Sequence, residues 1–337
     1  IVKSEYDENG FVSKKTYCDP DGNIVNCKDG NAFLECKNDA HGNPLEGWYK
    51  DSDGEICEIS NGFAGIMFEY DSVGNQTKAV YYGKDKEPTA TSEGYVGVEY
   101  VYDEMNRVVE IKHLGKDLQP SANKNNVVRA RYEYDKRGNN TKVSFYEADG
   151  QILRLSGEGI AGWEDLYDEK GNQLERKFFD EEGTAIASPS IGYALVRYTY
   201  DENEHLNSVR YLDAKQNLIL VEGKAGYDYV NDKRGNTLES KPIGKDGKRA
   251  SGWLISKSKY DQYDNCIEWA LFDDNGPATN KVGIHRYQYA FNTRNQQIEE
   301  RHYGKDGKLA IIDDETRCAI QRDEYDDKGN RVKIAFF

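Results

Sequence analysis

The chain has 337 residues and a formal net charge of −15, with 37% hydrophobic and 31% charged residues. A surface this acidic is repelled by nucleic-acid backbones and anionic membranes, so neither is expected as a main partner. No apolar run approaches the length of a membrane span, and six Cys are too few for a disulfide-built scaffold of this size. The two excesses are 32 Gly and 25 Tyr. Tyr suits pleated, half-buried surfaces and Gly suits turns, so the pairing favours strands over helices.

A Tyr-Asp dipeptide recurs along the chain as Tyr6-Asp7, Tyr70-Asp71, Tyr102-Asp103, Tyr134-Asp135, Tyr167-Asp168, Tyr200-Asp201, Tyr260-Asp261 and Tyr325-Asp326. Asn38-Asp39, Asn231-Asp232 and Phe291-Asn292 keep the register between them. The eleven anchors are 29 to 34 residues apart, and a step of that size means a repeat array. The whole of 1–337 is therefore read as one continuous array.

With the Tyr of each copy as position zero, positions −6, −4, −2 and 0 are largely apolar or aromatic, as in Val96-Val98-Tyr100-Tyr102 and Ala194-Val196-Tyr198-Tyr200. Residues between them, such as Arg131, Glu133, Arg197 and Thr199, are polar. Period two marks a strand with one buried face. Asp at +1 and Gly at +4, as in Gly10, Gly42, Gly74, Gly138, Gly171, Gly235 and Gly329, fit a type I turn closed by a left-handed residue, which joins hairpin strands. Positions +7, +9 and +11 alternate again, as in Ile267-Trp269-Leu271, with Glu or Lys often at +8. Each copy is thus a hairpin.

A second turn is expected at +13 to +16, as in Asp19-Pro-Asp-Gly22 and Glu147-Ala-Asp-Gly150, and Gly at −8 opens the next copy. The length variation lies between these points, so that segment is expected to be a surface loop or an irregular third strand. One hairpin cannot bury its own apolar face, so stability must come from neighbouring copies. The expected fold is an elongated all-β array of about eleven antiparallel hairpin repeats, a spiral sheet or a solenoid, with no significant helix.

Tyr132-Glu-Tyr-Asp-Lys-Arg-Gly-Asn139, with near-matches over 167–172 and 325–330, resembles the YD repeat of the bacterial RHS and animal teneurin families. That resemblance implies long spiralling β sheets that build shells, stalks or toxin cocoons. The step here is longer than the family's, and no toxin or protease segment is recognisable. Gly47-Trp-Tyr-Lys-Asp-Ser-Asp-Gly54 resembles, more locally, the aromatic repeats of choline- and glucan-binding surface proteins.

Two readings compete for the Tyr rows: stacking of sugar rings, or packing between copies. The alternation favours packing. The aromatics at −7, Phe63, Tyr95, Tyr193 and Trp253, lie outside the alternating set and are the candidate ligand-binding residues, either exposed and evenly spaced or hidden by a second sheet face. Asp19/Asp21 and Asp51/Asp53 are read as turn residues, because a calcium loop needs more oxygen ligands. No metal or other cofactor is expected. Cys27 and Cys57 hold similar places in successive copies and could bridge if the protein is exported; free thiols are the alternative.

His41, His113, His205, His285 and His302 fall at unrelated register positions without a catalytic motif, so no catalytic residue is expected. The chain opens on Ile1, which is read as the start of a processed product or of a segment cut from something longer. The expected function is a non-catalytic scaffold or adhesion module of an exported or cell-surface bacterial protein, meeting a protein or glycan partner. A cell-wall or glycan anchor is the alternative, and a glycoside-active enzyme fragment the second alternative.

Overall fold

A computed structural model describes residues 1–155, 157–312 and 317–337. The described residues hold 23 β-strands and no helix, in antiparallel sheet. Eleven hairpins follow the eleven anchors, and one extra two-residue strand, Gly276–Pro277, pairs beside Phe272 and Asp273. The chain's contacts gather into two compact units, Ile1–Asp165 with Phe178–Ile191, and Leu166–Lys177 with Gly192–Phe337. The same repeat chemistry builds both.

The copy anchored at Tyr70 shows the local logic. Its upstream strand, Gly65–Tyr70, pairs with its downstream strand, Gln76–Tyr82. The turn between them has the expected form: Gly74 N–H donates to the Asp71 carbonyl (3.2 Å), and Asp71 N–H donates to the Asn75 carbonyl (2.9 Å). Gly74 sits at φ 93°, and the register slips by one residue at Glu69/Tyr70, which is a β-bulge. Where +4 is not Gly, the backbone still enters the left-handed region, at Asn106, Glu204, Asp264 and Asn295.

The Asp carboxylate organises this turn. Asp135 Oδ1 accepts from the backbone N–H of Arg137 (2.8 Å) and Asn139 (2.9 Å), and Oδ2 accepts from the Asn139 side chain (2.9 Å). Arg107 takes the Asn role beside Asp103, and Gln296 takes it beside Asn292. Hydrogen bonds from the +5 residue hold the anchor aspartates below the usual carboxylate range.

The anchor itself reaches the preceding copy. The Tyr70 hydroxyl donates to the carbonyl of Pro44 (2.9 Å), that of Tyr102 to Gln76 (2.7 Å) and that of Tyr134 to Val108 (2.8 Å). Tyr200, Tyr260 and Tyr325 do the same to Gln173, Thr237 and Gln297. Each acceptor is the +6 residue of the copy before. The Asn anchors keep the latch with an amide: Asn38 donates to Val12 (3.0 Å) and Asn231 to Leu206 (2.8 Å). Phe291 has no group that can donate.

The variable segment is more ordered than a surface loop. After the second turn the chain returns to its own downstream strand through a single bridge, as at Lys50↔Ile56 and Tyr82↔Pro88. A third turn follows at the −8 glycine, with Gly62 N–H donating to the Ile59 carbonyl (2.8 Å). In the first unit these third turns are stitched to one another: Ser60 N–H donates to Asp29, Ser92 to Asn61 and Lys124 to Glu93. Position −6 then enters the sheet between two downstream strands. Ala64 N–H donates to Tyr82 (2.7 Å) and its carbonyl accepts from Tyr49 (2.9 Å). Ala32, Ala64, Ala161, Ala194 and Ala225 are fully buried at this position, and Val96 and Val128 nearly so. At −5, a Cβ on Gly162 would meet the Val143 carbonyl and lie 2.6 Å from the Phe179 ring, so glycine is what lets Phe179 pack over the strand.

One sheet face carries the Tyr positions, and the other carries charge. In the first unit Lys78, Glu99, Lys112, Glu110 and Arg131 form a ladder with N–O separations of 2.6–3.9 Å. In the second, Glu175–Arg197 (2.5 Å), Arg210–Asp228, Glu239–Lys257 (3.1 Å) and Arg301–Glu299–Arg322 (2.6 Å each) continue the theme. Six of these pairs cross the ladder between copies and three, Glu99–Lys112, Glu110–Lys112 and Glu299–Arg301, lie within one copy; such opposite charges set register more than they add stability.

The latch carries a direct test. Tyr134→Phe removes one hydroxyl bond and is expected to lower stability by about 1 kcal/mol, whereas Phe291→Tyr supplies the missing donor and is expected to raise it by about the same amount. Urea unfolding followed by circular dichroism reads both, and equal midpoints for all three proteins would refute the latch. The turn aspartates carry another. Their depressed carboxyls stabilise the fold above the unfolded value of about 4, and that contribution is lost as pH falls through the folded value. Acid unfolding of Asp135→Asn, which keeps an acceptor but does not titrate, is expected to show a shallower dependence on pH below about 4 than the parent chain.

Candidate functional site

The −7 residues sit directly after the third turn, beside the +11 end of the downstream strands. In the first unit their rings interleave: Tyr49–Phe63 centroids are 5.8 Å apart, Phe63–Tyr81 4.7 Å, Tyr81–Tyr95 6.0 Å and Tyr95–His113 4.7 Å. Such offset and edge contacts are favourable packing. Phe63 is only 7% exposed, the hidden one of the two expected placements: it fills the gap between two tyrosines of successive copies. Tyr95 is half-buried and stacks on His113, whose Nδ1 meets the Val127 carbonyl (2.9 Å). A small cavity of about 240 Å³ lies beside Phe63, Tyr81 and Tyr95, edged by Thr91, Ser92 and Glu93.

In the second unit Tyr193 is half-buried and stacks on Tyr211 at 5.0 Å. Trp253 is the one −7 ring of the four that stays exposed, at 37%. It lies over Gly223, where a Cβ would come within 2.9 Å of the indole, and the Lys224 ammonium stands 4.3 Å from its ring. In the first unit Phe63 and Tyr95 lie on either side of Tyr81, and in the second Tyr193 packs on Tyr211 while Trp253 covers Gly223.

The thiols of Cys27 and Cys57 are unbridged, as are the other four. Cys27 Sγ meets Asn31 Oδ1 (3.1 Å) within its own turn, while Cys57 Sγ faces the Gly30 carbonyl (3.9 Å). Each thiol therefore has its own polar neighbour, and burial pushes the Cys57 thiol up. The carboxylates of Asp19 and Asp51 are turned into their own turns, accepting from Asn23 and from Asp53 and Glu55.

One concentration of functional chemistry escaped the sequence reading. On the Tyr face of the second unit, Trp269, Tyr287, Tyr289 and Phe291, with Cys266 and Gln297, line a shallow depression of about 520 Å³. All six are half-buried. Trp269 and Tyr287 are 5.6 Å apart and tilted by 54°, whereas Tyr287 and Tyr289 lie side by side with planes 10° apart. Glu300 stands opposite Tyr289 in the ladder. Its carboxylate meets His302 Nε2 (3.0 Å) and accepts from the Gln297 side chain (3.3 Å), and His302 Nδ1 in turn meets the Cys318 carbonyl (3.1 Å). Burial, with Glu300 next in weight, pushes the Tyr289 phenol well above its ordinary value, so it stays protonated. The signal that could have found this place is a carboxylate at +9. The other copies carry Lys15, Gly47, Ala79, Ile111, Val143, Arg176, Val209, Ser240, Trp269 and Ile334 there.

These features define an all-β hairpin-repeat protein with a charged face and a tyrosine-rich face. No family model matches the sequence, and no curated protein does. Among solved structures, the chain is similar to TcdB2-TccC3 without its hypervariable C-terminal region, at 11% identity and a TM-score of 0.47, over 99% of this chain and 17% of that one. For TcdB2-TccC3-Cdc42 the identity is 12% and the TM-score 0.45, over 99% and 17%. For a Tc holotoxin pore of Photorhabdus luminescens they are 12% and 0.28, over 100% and 16%. The chain spans less than a fifth of the length of those chains. Likeness of this degree assigns no function.

The aromatic seam has an alkaline signature. Burial, reinforced by neighbouring tyrosines, pushes the phenols of Tyr81 and Tyr211 up to about 12. A raised phenol stabilises the fold below its unfolded value of about 10, and that contribution is lost as pH rises through the folded value. Stability is therefore expected to fall between about pH 10 and 12, with a shallower fall in Tyr81→Phe. Urea midpoints measured across that range check it, and identical slopes for the two proteins would show that Tyr81 is not linked to folding.

Proposed function

We propose that this chain is a non-catalytic scaffold segment of an exported or cell-surface bacterial protein, built from YD-type repeats and meeting its partner across an extended surface. The observation that supports the reading is the repetition of one joining device. Anchor latches, turn contacts and paired charges recur from copy to copy and go into holding the array together. Strand pairing and packing between neighbours are what a repeat scaffold needs. The Tyr-x-Tyr-Asp-x-x-Gly-Asn motif supports the YD-repeat assignment, since every residue in it has a structural task in a hairpin.

A glycan-anchoring role is the second reading, favoured by the aromatic depression around Trp269. Surface labelling tests the main one. An antibody raised against the native chain is expected to label intact cells of the producing organism, and the purified chain is expected to turn over no fluorogenic glycoside. Labelling seen only after permeabilisation would overturn export, and saturable turnover would overturn the non-catalytic reading.

A further inference from the structure

The depression on the Tyr face of the second unit combines three independent features. First, the anchor is Phe291. In eight other copies a phenol or amide at this position takes the +6 carbonyl of the copy before, whereas the phenyl ring brings no donor to Cys266. Second, the neighbouring rings present two kinds of surface. Tyr287 and Tyr289 form a flat strip, and Trp269 rises beside it at 54°. Third, Glu300 puts the array's only +9 carboxylate beside those rings. His302 and Gln297 hold it in place, and His302, 2% exposed, is itself tied to the Cys318 carbonyl.

A carboxylate on a strand position that six other copies fill with an apolar side chain has a desolvation cost, and a purely structural face would do better with Val or Ile, as at Val143 or Ile111. Its partners steady it from the side and from below, so it serves as a fixed, charged acceptor next to open aromatic faces. That is the complement of a pyranose ring. The sugar's C–H face is apolar and packs on an aromatic plane, while its equatorial hydroxyls are donors at the rim that a carboxylate accepts in strong, charge-assisted bonds. Binding sites of this size are commonly apolar with a few placed polar groups.

We propose that Trp269, Tyr287 and Tyr289, with Glu300 as hydroxyl acceptor, bind one sugar ring of a neutral glycan. The site goes beyond the scaffold role and does not depend on it: the array can be a scaffold whether or not this patch takes a sugar. The phenol of Tyr289 adds a donor at the same rim. A quaternary ammonium is the competing ligand for rings beside a carboxylate, but it is best held by rings that surround it, and this depression is a strip with one wall.

The test uses the full chain. Titration with chitotetraose, cellotetraose, maltotetraose and xylotetraose, up to about 10 mM, is followed by calorimetry and tryptophan fluorescence, a range that captures dissociation constants near ~1 mM. Saturable binding of at least one of the four is expected. Trp269→Ala is expected to abolish it, and Glu300→Gln, which keeps size and neighbours, to weaken it about tenfold, the loss of one charge-assisted bond. Circular dichroism confirms that each variant is folded, and Glu300→Gln together with Trp269→Phe carries the test if Trp269→Ala is not. The proposal is overturned if no tetrasaccharide binds, if binding survives both Trp269 and Glu300 substitutions, or if choline chloride binds at this site and the sugars do not.

Discussion

Every copy in this chain is an incomplete object. A two-stranded hairpin exposes apolar residues on one side and leaves backbone groups at its edge, and neither is tolerable alone. The bond that resolves this most economically is the one from the anchor side chain to the +6 carbonyl of the copy before. It is made at the β-bulge, where the ladder is locally disrupted and a carbonyl is available to a side chain. Because the anchor at zero is followed at once by the Asp that builds the turn, latching to the previous copy and reversing the chain are performed by adjacent residues. The Tyr-Asp dipeptide is therefore a joint as well as a turn signal.

The joint tolerates change in a revealing way. Asn38 and Asn231 have much shorter side chains than Tyr, yet their amides reach the equivalent carbonyl at comparable distance. What the position needs is a donor aimed at that carbonyl, and the aromatic ring is one means of placing it. The turn obeys the same logic: Arg107 donates to Asp103 in place of the +5 Asn, and Gln296 keeps the contact with the direction reversed, its side-chain oxygen accepting from the Asn292 amide. Stacked first turns add side-chain bonds such as Asn75 to Asn106 and Asn236 to Asp264. Function in the polar groups is preserved even where residue identity is not.

Most of the fold was legible because it rests on local chemistry. Alternation over residues such as Val96 to Tyr102 identified strands, and Asp-x-x-Gly identified the turn with its left-handed residue. The latch was not legible, since nothing in a sequence says which carbonyl a tyrosine hydroxyl will meet. The sequence leaves the −7 rings either exposed or hidden, because period-two reasoning stops at the −8 glycine. The third turn in fact swings Phe63 back against Tyr49 and Tyr81, so a residue outside the alternation is buried by a tertiary contact. Glu300 was hidden for a related reason. One carboxylate among 60 acidic residues attracts no notice until the register assigns it to the aromatic face.

That register also explains how a repeat array can carry a local site without weakening itself. The latch and the turn lie at zero, +1, +5 and +6, the charge ladder at −3, +8 and +10, and the small buried residues at −6. Positions −4, −2 and +9 are among those left to vary on the Tyr face. The depression is lined from those positions by Tyr287, Tyr289 and Trp269, with Glu300 opposite Tyr289 in the ladder, together with a single exchange at an anchor, Phe291. Neighbouring copies keep their own latches at Tyr260 and Tyr325. The loss of one hydroxyl bond is therefore bracketed by intact joints, and a net cost of about 1 kcal/mol is small against the packing on either side.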